Sequence, residues 1–124
     1  MSVILIVEDN ERNLKLVRDL LQVKGYATLE AATGEEGVRL ATEHKPDLVL
    51  MDIQLPGISG IDALRILRAD PDTAAIPVIA VTASVMQQDR KMITEAGFDA
   101  YVGKPISMKE FLDAVKNVLE GRKP

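Results

Sequence analysis

The stretch Asp47-Leu-Val-Leu-Met-Asp-Ile-Gln-Leu-Pro-Gly-Ile-Ser-Gly60 constrains the fold more than any other part of this chain. Leu48 to Met51 is an apolar run too short for a helix and closed by a turn signal, which predicts a strand buried on both faces. Asp52 stands at its end, and Leu55-Pro56-Gly57 then takes the chain out of the sheet. A carboxylate at the tip of a buried strand has two readings: a turn or cap residue, or a nucleophile or metal ligand. Alone, Asp52 favours the first. Its neighbours decide between them.

Four more short runs have strand character. Val3–Val7 is continuously aliphatic and ends in Glu8-Asp9-Asn10; Tyr26–Ala31 alternates; Pro77–Thr82 is buried in type; Ala100–Val102 leads into Gly103-Lys104-Pro105. Helical spacing fills the intervals. Leu14, Leu16, Val17, Leu20, Leu21 and Val23 form a wide apolar arc that stops at Gly25, as a helix pressed on a sheet would. Thr33-Gly-Glu-Glu36 reads as a capping box opening a helix that carries Val38, Leu40 and Ala41 inward and ends at Lys45-Pro46. A third helix is predicted from Ser59-Gly-Ile-Asp62 to the break at Asp70-Pro71-Asp72, and a fourth from Met86 to Ala96 with Gly97 as its stop. A second capping box, Ser107-Met-Lys-Glu110, opens the last, with Phe111, Leu112, Val115, Val118 and Leu119 on its inner face.

Five strands alternating with five helices imply an α/β fold: a parallel sheet with helices on both faces, because right-handed crossovers place them there. The two least apolar strands, the second and fifth, belong at the edges. That predicts a three-layer (βα)5 sandwich of flavodoxin-like order 2-1-3-4-5.

The whole chain of 124 residues reads as one domain. With 47% hydrophobic but only 3% aromatic residues, its core must be aliphatic. No segment has the length of a membrane span, and the start lacks the features of a signal peptide. The absence of cysteine excludes thiolate metal sites and fits a reducing, cytoplasmic compartment. A net charge of −4 argues against nucleic acid as a partner, and Arg122-Lys123 is too small a basic tail to change that.

In an open parallel sheet, ligands bind beyond the carboxyl ends of the strands, near the switch in strand order. Placed in that frame, the strand ends bring Glu8, Asp9, Asp52, Thr82 (followed by Ala83 and Ser84) and Lys104 to one rim. Three neighbouring carboxylates call for a hard divalent cation, Mg²⁺ or Mn²⁺. Lys104 can pair with one acid, and Thr82 can donate to an incoming oxygen. Such a set suits phosphoryl transfer onto an aspartate. Each residue alone is weakly specific; the joint placement carries the reading.

Val7-Glu8-Asp9-Asn10, Leu50-Met51-Asp52-Ile53-Gln54-Leu55-Pro56-Gly57, Val81-Thr82-Ala83 and Gly103-Lys104-Pro105 resemble the motifs of the CheY-like receiver domains of two-component response regulators, over essentially the whole chain. Val-Glu-Asp-Asn, Met-Asp-Ile-Gln-Leu-Pro and Lys-Pro-Ile-Ser are most similar to stand-alone regulators of the DivK type, which lack an output domain and act in cell-cycle and developmental control. The resemblance implies that Asp52 is the phosphoacceptor, served by a sensor histidine kinase or a histidine phosphotransferase. It implies direct Mg²⁺ ligation by Asp9, Asp52 and the Gln54 backbone carbonyl, with Glu8 acting through water. It also implies contact of Lys104 with the phosphoryl group and a cis Lys104-Pro105 bond. Glu8, where the family often has Asp, is a common variant.

The same resemblance suggests a switch in which Thr82 turns toward the phosphate and Tyr101 fills the space vacated; otherwise Tyr101 is an exposed edge-strand aromatic. The fourth helix, fifth strand and fifth helix are the expected readout face toward a downstream protein, with the chain a monomer or weak dimer. Asn10, Asn13 and Leu14 on the first helix are candidates for docking a kinase or phosphotransferase. His44 reads as a helix C-terminal residue rather than a catalyst, and the five methionines as gap fillers. The chain is therefore expected not to be an enzyme beyond turning over its own phosphate. Three rivals are weaker. An aspartyl-phosphate phosphohydrolase would place an acid where Gln54 stands, a flavodoxin-like cofactor binder would not line its first loop with Glu8, Asp9 and Glu11, and a scaffold-only pseudo-receiver would not need the full acid, Thr and Lys set.

Overall fold

The computed structural model describes residues 2–83 and 87–121, with side chains undescribed at 87–90. Ser84 and Met86, and the basic pair Arg122-Lys123, lie outside the described residues. The element order is β1 (Val3–Val7), α1 (Glu11–Val23), β2 (Ala27–Ala31), α2 (Gly34–His44), β3 (Leu48–Asp52), α3 (Gly60–Ala69), β4 (Val78–Thr82), α4 (Gln87–Ala96), β5 (Ala100–Gly103) and α5 (Met108–Leu119). All strand pairs are parallel, in the order β2-β1-β3-β4-β5. Both the α/β architecture and the edge positions of β2 and β5 agree with the sequence reading.

Strand side chains alternate between faces, and the central strands bury both sets. Leu5, Val7, Val49, Met51, Val78 and Ala80 face one core with Leu64 and Leu67 of α3 and Ile93 of α4. Ile4, Ile6, Leu48, Leu50, Ile79 and Val81 face the other with Val17 and Leu21 of α1 and Phe111 and Val115 of α5. Phe111 is the bulkiest fully buried side chain, so one aromatic anchors an otherwise aliphatic layer. The arc on α1 is wider than the contact it makes: Leu16 and Val23 are exposed.

Several element boundaries differ from those predicted, each for a backbone reason. Tyr26 belongs to the turn after α1, because its amide bonds back to the Leu21 carbonyl. Pro77 stays outside β4 although its carbonyl accepts from Val49, since proline has no N–H for the ladder. Gly103 joins β5 by pairing with Thr82. The Thr33 and Ser59 hydroxyls cap α2 and α3 as predicted, accepting from the amides of Glu36 and Asp62. Ser107 holds the N-cap position of α5 but makes no side-chain cap bond, which corrects the second capping box. Burial of Phe111 and Val115 secures that helix instead. His44 lies in the last turn of α2, half-exposed, and the helix closes on Lys45 in the left-handed region.

Two glycines shape the loop after β3. Gly57 has φ +76°, a left-handed conformation that follows Pro56 without steric cost. Gly60 packs directly on the backbone that carries the Asp52 side chain: its amide donates to the Ile53 carbonyl at 3.0 Å, and a Cβ there would collide with the Asp52 carbonyl oxygen and lie 2.9 Å from the Ile53 Cα. Gly60→Ala is therefore expected to destabilise the fold by roughly 1–3 kcal/mol, read as a lower Tm in thermal denaturation. An unchanged Tm would mean that this backbone contact is slack.

Candidate phosphoacceptor site

Strand register explains why residues far apart in sequence meet. Val7 pairs with Met51, so Glu8 and Asp52 each stand one residue beyond a matched pair. Asp52 itself pairs with Val81, and Thr82 pairs with Gly103, which brings Lys104 to the next step. The Lys104 amide donates to the Thr82 carbonyl at 2.8 Å. The Lys104-Pro105 peptide bond is cis, as the motif implied.

The Lys104 ammonium lies 2.9 Å from Glu8 Oε1 and 3.0 Å from Asp52 Oδ2. Glu8 and Asp52 are each 5% exposed. The other oxygen of each acid is held by backbone: the Gln54 amide donates to Asp52 Oδ1 at 3.0 Å, and the Asn10 amide to Glu8 Oε2 at 3.2 Å. One carboxylate oxygen from each of Glu8, Asp9 and Asp52 forms a set lying within 4.8 Å of one another, with Asp9 on the exposed side. Three carboxylates against one ammonium leave two negative charges uncompensated if all ionise. Oxygen donors at that spacing fit a hard divalent cation, whose opposed ligands stand about 4–5 Å apart.

Burial pushes the Glu8 carboxyl up to about 7, and its hydrogen bond with Asp52 pushes the same way; the Lys104 ammonium and the Asn10 amide pull down without cancelling the rise. Burial alone would lower the Lys104 ammonium, but its hydrogen bonds to Glu8 and Asp52 outweigh that and hold it above its usual range. The site thus retains the positive charge of Lys104 and strains to carry all of its negative ones.

Thr82 is buried at the end of β4, and Tyr101 is 41% exposed on β5. Asn10, Asn13 and Leu14 begin α1 beside Asp9, with Asn13 and Leu14 half-buried. Asn10 has a local role that the sequence reading missed: its side chain caps α1, accepting from the amides of Arg12 and Asn13. An Asn just before a helical apolar pattern was the available signal. Gly60 was passed over too, because nothing in the sequence announces a backbone approach to Asp52.

A family model for the response regulator receiver domain matches residues 4–116. The chain belongs to the response regulator receiver family. Polar-differentiation response regulators named DivK, from Brucella anthropi and Brucella abortus, are 48% identical to this receiver over 116 residues, 94% of each chain. Among solved structures, the receiver domain of a sensor histidine kinase from Pseudomonas aeruginosa PAO1, described with a magnesium ion coordinated in its active-site cleft, superposes with a TM-score of 0.89 at 34% identity, covering 96% of this chain and 98% of that one. A CheY-like receiver domain protein from Methanospirillum hungatei JF-1 gives a TM-score of 0.88 at 29% identity, covering 98% and 95%. Among the described residues of this receiver, no helix is long and apolar enough to cross a membrane.

The raised Glu8 pKa sets the sign of a pH effect. Between its unfolded value of 4.5 and its folded value of about 7, the folded receiver binds more protons than the unfolded chain, so stability falls as pH rises through that window. The full cost above pH 7 is on the order of 3 kcal/mol. Without divalent cations, Tm is expected to drop between pH 5 and pH 8, and Glu8→Gln is expected to remove most of that drop. An equal drop in the variant would place its cause elsewhere.

Proposed function

We propose that this receiver accepts a phosphoryl group on Asp52 from a phosphohistidine of a sensor kinase or phosphotransferase, and signals through the phosphorylation-dependent affinity of its surface for a protein target. The observation that carries this reading is the ammonium of Lys104, 3.0 Å from the buried Asp52 carboxylate, at a rim that also holds Glu8 and Asp9.

In the transfer, an Asp52 oxygen attacks phosphorus, the P–N bond of the phosphohistidine breaks, and its electron pair returns to the imidazole, which takes up a proton. The product is a mixed anhydride on Asp52. Lys104 is placed to neutralise charge on the transferring oxygens, and the Gln54 amide holds the carboxylate in one orientation. Asp9, Asp52 and the Gln54 carbonyl would hold Mg²⁺ (Mn²⁺ serving as a substitute), with Glu8 assisting through water. When bound, the cation supplies charge neutralisation for the phosphoryl oxygens. In this reading the protein acts on no other substrate, and the only chemistry it performs is gain and loss of its own phosphate.

The phosphoryl group adds a charge of about −1.5 to −2 and three acceptor oxygens. Thr82 turns its hydroxyl to meet them and Tyr101 moves inward, which biases an existing pair of conformations and remodels the surface of α4, β5 and α5. The 48% identity to regulators named for polar differentiation supports a phosphorelay role in cell-cycle or developmental control.

The deciding experiment is incubation with acetyl phosphate and Mg²⁺, read by intact mass. Wild type is expected to gain one phosphate and Asp52→Asn none; equal labelling of both would refute Asp52 as the acceptor, and sustained turnover of phosphate esters would point to a hydrolase. Mg²⁺ is also expected to raise the Tm of the wild type, by the linkage that stabilises any state binding a ligand. Asp9→Asn should lose most of that rise. A full rise in the variant would move the cation off Asp9.

A further inference from the structure

The turn between β1 and α1 consists of Glu8, Asp9 and Asn10, and it carries two acids of the clustered set. Its ends are fixed by different means. The Glu8 amide extends the ladder of β1 to the Ala31 carbonyl at 2.9 Å. At the other end, the Asn10 side-chain oxygen accepts from the amides of Arg12 at 3.0 Å and Asn13 at 3.1 Å. The Asn10 carbonyl accepts from the Leu14 amide at 2.9 Å, and the Asn10 amide donates to Glu8 Oε2 at 3.2 Å. One residue thus joins the first turn of α1 to a carboxylate of the acidic cluster. Asp9 stands between the two anchored ends and is exposed, so its carboxylate takes its place from the turn and not from burial.

Such a cap exceeds what α1 needs in order to form. Thr33 and Ser59, the caps of α2 and α3, each accept from one amide. α5 stands with no side-chain cap bond, held by burial of Phe111 and Val115. α1 has the same kind of anchor in Val17 and Leu21, so the two bonds of Asn10 act on the turn more than on the helix. The amides of a helix's first turn attract anions. Asn10 occupies two of those donors with a neutral oxygen, which keeps the Asp9 carboxylate, its chain neighbour, from turning in to cap the helix itself.

We propose that Asn10 is a positioning residue of the cation site: by capping α1 it locks the turn from Glu8 to Asn10 and leaves the Asp9 carboxylate to the metal. This gives Asn10 a task inside the chain, independent of any protein partner. The inference rests on the reading of Asp9 as a Mg²⁺ ligand, and the test separates the two.

Mg²⁺ binding is measured by isothermal titration calorimetry on the full chain without phosphodonor, beside the Tm of the Mg²⁺-free protein. Asn10→Ala is expected to raise the Mg²⁺ Kd about threefold or more, because binding to a conformation that is only partly populated weakens in proportion. Asn10→Ser keeps a capping oxygen and little else of asparagine, and is expected to bind within about twofold of the wild type. Leu16→Gly weakens α1 at an exposed position by about as much as a lost cap does; it is expected to lower Tm and leave the Kd as in the wild type. Asn10→Gln, whose longer side chain is not a good cap, serves as the second variant should Asn10→Ala not fold, and is expected to match it. A smaller rise of Kd in Asn10→Ala would overturn the proposal, as would equal weakening in Leu16→Gly or failure of serine to rescue. A wild type that binds no Mg²⁺, or an Asp9→Asn variant that binds it as tightly as the wild type, would overturn the reading of Asp9, and the role of Asn10 with it.

Discussion

One ammonium shared by two buried carboxylates is the interaction on which this molecule turns. Lys104 reaches Glu8 and Asp52 at nearly equal distances, and no second cation among the described residues is drawn that close to either acid. A buried ion pair alone is weak support for stability, because desolvation offsets most of its Coulombic gain. Here the second acid makes matters worse and drives Glu8 toward its neutral form. The fold accepts this cost at the carboxyl rim of its sheet, where a divalent cation or a phosphoryl group would find charge ready to be balanced. Everything else in the structure can be read as the scaffold that keeps that unfavourable arrangement in place.

The scaffold works through register. Because β1, β3 and β4 are parallel neighbours, the residues just past their last pairs arrive side by side, and a single step separates apolar core from charged rim: Met51 is fully buried, and Asp52 begins the site. The backbone then fixes each acid separately, through the amides of Asn10 and Gln54, so the carboxylates are oriented before anything binds. Gly60 lets the next helix begin against the strand that carries Asp52. At the opposite rim the requirements reverse. There Arg68 donates to carbonyls in the loop entering β4 and to the Gly97 carbonyl ahead of β5.

Much of this was legible from residue patterns, and the exceptions share a cause. Short aliphatic runs alternating with helical spacing identified all five strands and their helices, because burial on two faces leaves a signature in each strand. The caps at Thr33 and Ser59 were legible since an N-cap bond spans only three residues. Ser107 shows the same spacing without the bond; spacing cannot report a rotamer, and a helix held by Phe111 needs no cap. Leu16 and Val23 counted toward an apolar arc wider than the face that α1 buries. The bonding of Arg68 was invisible, because Asp99 lies 31 residues away and its three other bonds end on the backbone carbonyls of Ala74, Ile76 and Gly97.

The sequence by itself determined the class of fold, the order of the strands, the family and the list of chemically capable residues at the strand ends, since all of these follow from local periodicity and from motifs a few residues long. Only the tertiary structure decided which of those residues compete for the same charge, how far Glu8 is driven from its ordinary ionisation, and which loops Arg68 joins at the opposite rim. Those properties depend on distances between atoms that the chain brings together across dozens of residues, and on the exclusion of water from between them.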